Sequence, residues 1–161
     1  MDRRSVSVTL QCFIKDEGRY LMLHRNSSKR IMPNIWMAPG GHRKFCEGLF
    51  EATRREVLEE TGLEVKNLRI KATAVAYLKD LDQELYLHLM VAEYAGGVLR
   101  SDPDEGVLAW LTLEEISKLD DLLSELRQIL PYIFNDGDKV ISYKVVYEEG
   151  NKMVGFTLEE S

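Results

Sequence analysis

Three glutamates carry the strongest chemical signal in this chain. Glu56, Glu59 and Glu60 stand at i, i+3 and i+4. On a helix turning about 100° per residue they share roughly 100° of arc on one face. Like charges at these spacings repel by about 0.2–0.5 kcal/mol per pair. A face that gathers three carboxylates calls for a cation, and a hard divalent ion such as Mg²⁺ takes oxygen ligands of this kind. A solvated acidic face, with Arg54 and Arg55 as ion-pair partners, is the competing reading. The glycines before the helix weigh against it. Gly40 and Gly41 expose backbone carbonyls at a sharp turn, and a carbonyl is another hard oxygen ligand. Arg55, four residues before Glu59 and four after Glu51, is placed to hold carboxylates without ligating anything itself.

The elements that position these groups follow from periodicity. Ser5 to Ile14 reads as a strand with Val6, Val8, Leu10 and Cys12 on one face. Tyr20 to Leu23 is a second strand after a turn at Asp16 to Gly18, and His24 to Asn34 is a polar loop. Trp36 to Ala38 is short and apolar. The helix runs from Leu49 to Thr61, stopped by Gly62, and Phe50, Val57 and Leu58 are its expected apolar face. Ile70 to Leu78 and Glu84 to Tyr94 are long strands joined by a turn, and Val107 to Leu111 is a short one. Thr112 caps a helix from Leu113 to Leu119, with Glu115 completing a capping box. Leu122 to Phe134 is helical, and Lys139 to Tyr147 with Met153 to Leu158 form a last hairpin. Strands outnumber helices at irregular spacing, which makes the class α+β or mixed α/β.

Composition narrows the role. The 161 residues fit one domain, 45% apolar and 30% charged, with a formal net charge of −6. A non-specific nucleic-acid binder needs a positive surface to neutralise phosphates, so duplex nucleic acid is not an expected partner. No apolar run approaches the ~18 residues of a membrane span. Residues 1–5 lead straight into the first strand without the apolar stretch of a signal peptide. Cys12 and Cys46 make neither a disulfide framework nor a metal spacing, so a cytoplasmic location is expected.

The segment from Gly41 to Leu63 resembles the Nudix box, G-x5-E-x7-R-E-U-x-E-E-x-G-U with U aliphatic. Gly41, Glu47, Arg55, Glu56, Val57, Glu59, Glu60, Gly62 and Leu63 fill all of its fixed positions. Trp36 to Gly41 looks like the strand that family members place before the box. Ser101 to Trp110 looks like the loop that supplies a further carboxylate. The resemblance implies a single Nudix domain over residues 1–161, a mixed β-sheet sandwiched between helices with the box as loop–helix–loop. It implies hydrolysis of a phosphoanhydride in a nucleoside diphosphate linked to some group X.

By that resemblance Glu56, Glu59, Glu60, Glu105 and the Gly40 carbonyl are metal ligands for Mg²⁺, with Mn²⁺ as a substitute. Glu56 or Glu59 takes the proton from water, and Arg55 and Glu47 orient the others. Arg25, Trp36, Met37, Gly41, Asp120 and Asp121 are the expected substrate contacts. The likeness is to the MutT-like branch, which hydrolyses 8-oxo-dGTP and related oxidised purine triphosphates to monophosphate and pyrophosphate. Some of its members read the base with an Asn just before the Gly-Gly, where Met37 stands here, and with an acidic pair, for which Asp120 and Asp121 are candidates. A dinucleoside polyphosphate or ADP-ribose hydrolase, and an inactive binding module, are the alternatives. The expected partner is a small nucleotide, and a homodimer is allowed.

Overall fold

The computed structural model describes residues 5–161. The first four residues, where the expectation of a leaderless start falls, lie outside the described ones. No helix among the described residues is long and apolar enough to cross a membrane.

The first strand, β1 (Val6–Asp16), organises the sheet. It pairs in parallel with β6 (Gln83–Gly97) from Val6 to Lys15. Beyond β6 lie β5 (Leu63–Leu78), β8 (Ile141–Tyr147) and β9 (Met153–Glu159). The other edge of β1 is shared between two partners. β2 (Arg19–Arg25) pairs with it only at Lys15 and Asp16, and β4 (Gly40–His42) takes Thr9 to Gln11. β2 then pairs with β3 (Trp36–Met37) and β7 (Gly106–Leu111). Parallel and antiparallel ladders mix, and helices lie on both faces, as expected.

Helices on both faces explain why β1 departs from simple alternation. Thr9 to Ile14 are all buried, while Val6 is exposed. Leu10, Cys12 and Ile14 join the core under α1 (Leu49–Thr61). Phe13 faces the opposite core, which contains Leu126, Ile129 and Ile133 of α3 (Ser124–Ile133) and Ile116 of α2 (Leu113–Ser117). A strand covered on both sides reads as a continuous buried run.

The α1 helix has the predicted ends. Gly62 holds the left-handed φ of +77°, and a Cβ there would sit 2.4 Å from the Val98 carbonyl oxygen. Its buried face differs from the expected one. Only Val57 of the three apolar candidates is fully buried; Phe50 and Leu58 remain 39% and 46% exposed. Thr53 and Thr61, one turn to either side of Val57, complete the stripe, and their hydroxyls donate back to the carbonyls of Leu49 and Val57. That i−4 bond lets a polar side chain lie in a core, which a hydrophobic pattern cannot anticipate.

Other boundaries shift by local chemistry. β2 extends to Arg25, so the loop starts at Asn26. β5 begins at Leu63, well before Ile70, because three register shifts with β6 accommodate its polar start. The Thr112–Glu115 capping box forms as predicted, but α2 stops at Ser117. Lys71, 1% exposed, donates from Nζ to the carbonyl oxygens of Asn135 and Gly137 and to Asn135 Oδ1, closing the chain after α3.

At the start of α3 the sheet buries a carboxyl. Glu125 is 3% exposed and accepts hydrogen bonds from the Tyr143 and Tyr147 hydroxyls. Burial pushes its pKa up to about 7, against the pull of the two phenols. An unfolded chain ionises this group near 4.5. Folding then holds a proton that the unfolded state has released, and stability falls as pH rises from about 4.5 to about 7. The loss is on the order of 3 kcal/mol at 1.36 kcal/mol per pKa unit. Denaturant unfolding of wild type and Glu125→Gln across that window is the check. The variant is expected to gain on wild type as pH rises, and parallel curves would contradict the buried-carboxyl account.

Candidate active site

The loop from Arg43 to Gly48 brings Glu47 back against the helix that follows it. The backbone N–H of Lys44 donates to Glu47 Oε2 at 2.8 Å, and Glu51 reaches back to the Gly48 N–H at 3.1 Å. Arg55 then ties loop and helix together. Its Nε and Nη2 donate to the two Glu47 oxygens at 2.6 and 3.0 Å, a bidentate fork. Nη1 donates to Glu56 at 2.8 Å and to Glu59 at 3.1 Å, and Nη2 also reaches the His42 carbonyl at 2.9 Å. These bonds pull the Glu47 pKa down to about 2, with the Lys44 N–H as the next cause, and push that of Arg55 up. The predicted Glu51 contact of Arg55 gives way to this arrangement, because Glu51 is occupied as the helix cap.

The remaining glutamate of the triplet turns the other way. Glu60 Oε2 accepts the Gly40 N–H at 3.1 Å. Burial raises its pKa to about 8, the Gly40 bond opposes that rise, and the carboxylates of Glu105 and Glu56 add to it. The two glycines permit this packing. A Cβ at Gly41 would lie 2.4 Å from the Glu56 carboxyl, and one at Gly40 would collide with the Leu10 carbonyl. Glu105 pairs with Lys29 at 2.8 Å, and the Glu105 carbonyl accepts the Asn26 N–H. Thus five carboxylates, of Glu47, Glu56, Glu59, Glu60 and Glu105, face Arg55, Arg25 and Lys29. An all-oxygen donor set with excess negative charge fits a hard divalent cation. The ligand positions are not drawn together in this conformation: Glu56 and Glu59 lean on Arg55, and among the described residues no three acidic or histidine groups stand close enough to hold an ion.

A cleft of about 140 Å³ runs from this cluster between β1 and the β2–β3 pair. Glu60, Gly40, Gly41 and Arg25 line it, as does Met37. Arg25 serves partly as a brace, since its Nε and Nη2 donate to the carbonyls of Ile31 and Met32. The structure does not bring Trp36, Asp120 or Asp121 to the lining. Trp36 packs on the core and meets the His24 ring at a tilt of 52°, with ring centroids 5.0 Å apart. Asp121 accepts from His24 Nε2 at 2.7 Å, so that histidine has a partner which its sequence position did not reveal.

Five polar residues of the lining were not among the sequence candidates: Thr9, Gln11, His42, Glu125 and Tyr147. Alternation from Leu10 assigns Thr9 and Gln11 to a solvent face, yet they are 8% and 4% exposed. Thr9 Oγ1 and Gln11 Oε1 have no hydrogen-bond partner among the described residues. A buried polar atom left so costs about 1–3 kcal/mol. A polar residue within the buried stretch of a two-sided strand was the signal available, and it becomes readable only once both faces are known to be covered.

Comparison with known proteins gives a consistent picture. Residues 3–133 match the NUDIX domain family model. A 61-residue stretch, 37% of this chain, is 44% identical to the m7GpppN-mRNA hydrolase NUDT17 of Danio rerio, of which it covers 20%. The chain therefore spans about a fifth of the length of the first curated relatives it matches. Phosphatase NudJ of Shigella boydii is 28% identical over 120 residues, 74% of this chain and 76% of that one. The mutator MutT protein of Bacillus halodurans superposes with a TM-score of 0.81 at 24% identity, covering 96% of this chain and 98% of its own, a likeness of fold.

The Arg55 fork has a direct spectroscopic consequence. Replacing Arg55 with Met should let the Glu47 pKa climb from about 2 toward 4.5, read from its side-chain carboxyl ¹³C shift during a pH titration. An unchanged Glu47 titration would contradict the assignment of Arg55 as its holder.

Proposed function

The chain belongs to the Nudix family, and on that premise we propose that it hydrolyses a nucleoside triphosphate to monophosphate and pyrophosphate at the Glu60 end of the cleft. One observation carries the reading. A single cleft is lined by Glu60, Gly40 and Gly41 of the carboxylate cluster and also by Leu23, Met37, Leu85 and Leu123, an apolar slot suited to a base. An anion meets carboxylates productively only through a cation. Glu56, Glu59, Glu60, Glu105 and the Gly40 carbonyl would hold Mg²⁺, or Mn²⁺ in its place. When bound, the metal neutralises phosphate charge.

The chain's own residues supply positioning and proton transfer. Arg55 holds Glu47, Glu56 and Glu59 on one face of the loop and helix, from which Glu56 and Glu59 would turn toward the cation as it binds. Glu59, with its side chain 54% exposed, is open to the attacking water, whereas Glu56 lies under Gly41. Glu59 therefore takes the proton in this reading. Arg25 and Lys29, beside Glu60 and Glu105, brace the loops around the phosphates.

An oxidised purine triphosphate such as 8-oxo-dGTP is the finer form of the proposal, supported by the MutT likeness. Steady-state hydrolysis of 8-oxo-dGTP, dGTP, ATP, ADP-ribose and diadenosine tetraphosphate with Mg²⁺ tests it. The expected order puts 8-oxo-dGTP first. Preference for either of the last two would move the substrate class, and silence on all five would favour a binding module. Glu59→Gln is expected to lower kcat by about 100-fold or more. Its melting temperature should stay within about 2 °C of wild type, because an exposed carboxylate carries little packing. Loss of the fold in that variant would remove Glu59 from the chemistry.

A further inference from the structure

The polar atoms deep in the cleft belong to none of the roles above. Thr9 and Gln11 sit two residues apart on β1, on the face that Phe13 continues into the apolar core. Their neighbours across the β1–β6 ladder are Leu87 and Leu89, both apolar and buried. An apolar side chain would satisfy this environment. Instead two oxygens, Thr9 Oγ1 and Gln11 Oε1, are buried without a partner among the described residues, and both residues line the cleft. Orphaned buried polar atoms are a standing cost to the free protein, which a ligand can relieve. Glu125, from α3, lines the same cleft as a third polar group, anchored by Tyr143 and Tyr147.

Resting on the reading of the cleft as a nucleotide site, we propose that Thr9 and Gln11 determine base specificity, hydrogen bonding one edge of a purine while Glu125 meets another. Flat apolar walls with polar atoms at the margins complement a heterocycle, whose faces are apolar and whose rim is polar. An acyl chain would leave the two strand oxygens unpaired, and a sugar would meet apolar walls with its hydroxyls. A purine carries hydrogen-bonding atoms on two separate edges, so it can engage a strand and a helix at once, whereas a pyrimidine offers fewer. The Gln11 carboxamide supplies a donor and an acceptor side by side, the pattern that reads adjacent groups of a purine rim. Asp120 and Asp121 lie outside this lining, so the base is read from β1 and α3 instead.

The test measures binding and catalysis separately on the intact chain. Affinities for AMP, GMP, CMP and UMP are determined in EDTA, and Mg²⁺-dependent hydrolysis is followed for the four corresponding triphosphates. Wild type is expected to bind one purine monophosphate about tenfold or more tighter than the pyrimidines. Gln11→Leu and, separately, Thr9→Val should erase that gap and raise KM for the preferred triphosphate about tenfold, with kcat nearly unchanged. Neither variant should melt below wild type, since each removes an orphaned atom; if Gln11→Leu misfolds, Thr9→Val reads the same contact. Equal binding of all four monophosphates by wild type, or an unaltered ranking in both folded variants, would overturn the inference while leaving hydrolysis intact. A ranking erased by the variants in a protein that hydrolyses no triphosphate would sustain base reading and sink the hydrolase reading alone.

Discussion

The whole site depends on one guanidinium. Arg55 touches Glu47 on the loop, Glu56 and Glu59 on the helix, and the His42 carbonyl at the end of β4. Without it three carboxylates on one small patch would repel one another and the loop would lose its anchor. With it the loop is anchored and the patch still negative, because one guanidinium faces three carboxylates. That residual charge fits the proposed reaction, in which an anionic substrate would meet the carboxylates through a cation.

The sheet supplies a cleft beside the charge cluster, where the proposed substrate would lie. β1 gives one edge entirely to β6 but divides the other between β2 and β4. A cleft opens at that division. Gly40 lies against the Leu10 backbone so closely that no side chain fits, and a side chain at Gly41 would displace the Glu56 carboxyl. The helix carboxylates thereby reach the strand edge, and Thr9 and Gln11 on that strand look into the same space. The proposed catalytic cluster and the proposed base pocket are two ends of one feature, a strand with an unevenly shared edge.

Local chemistry made much of this legible from residues alone. The α1 ends and the Thr112 capping box depend on near neighbours, so patterns within a few residues sufficed, whereas Gly40 and Gly41, read as a sharp turn, belong to the strand β4 held by the edge of β1. The Arg55–Glu59 pair follows from helical spacing. What stayed hidden depends on contacts made across the fold. Phe50 and Leu58 look apolar enough for a core, yet Thr53 and Thr61 take that face by bonding their hydroxyls backward. Asp121 resembles a substrate ligand until His24, far away in sequence, claims it. Thr9, Gln11 and Glu125 look like surface residues until helices and strands cover both sides of the sheet. Membership of the family was carried by the spacing of nine residues; the substrate pocket required the fold.

The central claim is that this cluster cleaves a phosphoanhydride to release pyrophosphate. Phosphorus NMR of the intact chain with a purine nucleoside triphosphate and Mg²⁺ reads it most directly. Monophosphate and pyrophosphate signals growing together are the result the account predicts. Diphosphate with inorganic phosphate, or a triphosphate spectrum that never changes, would contradict it.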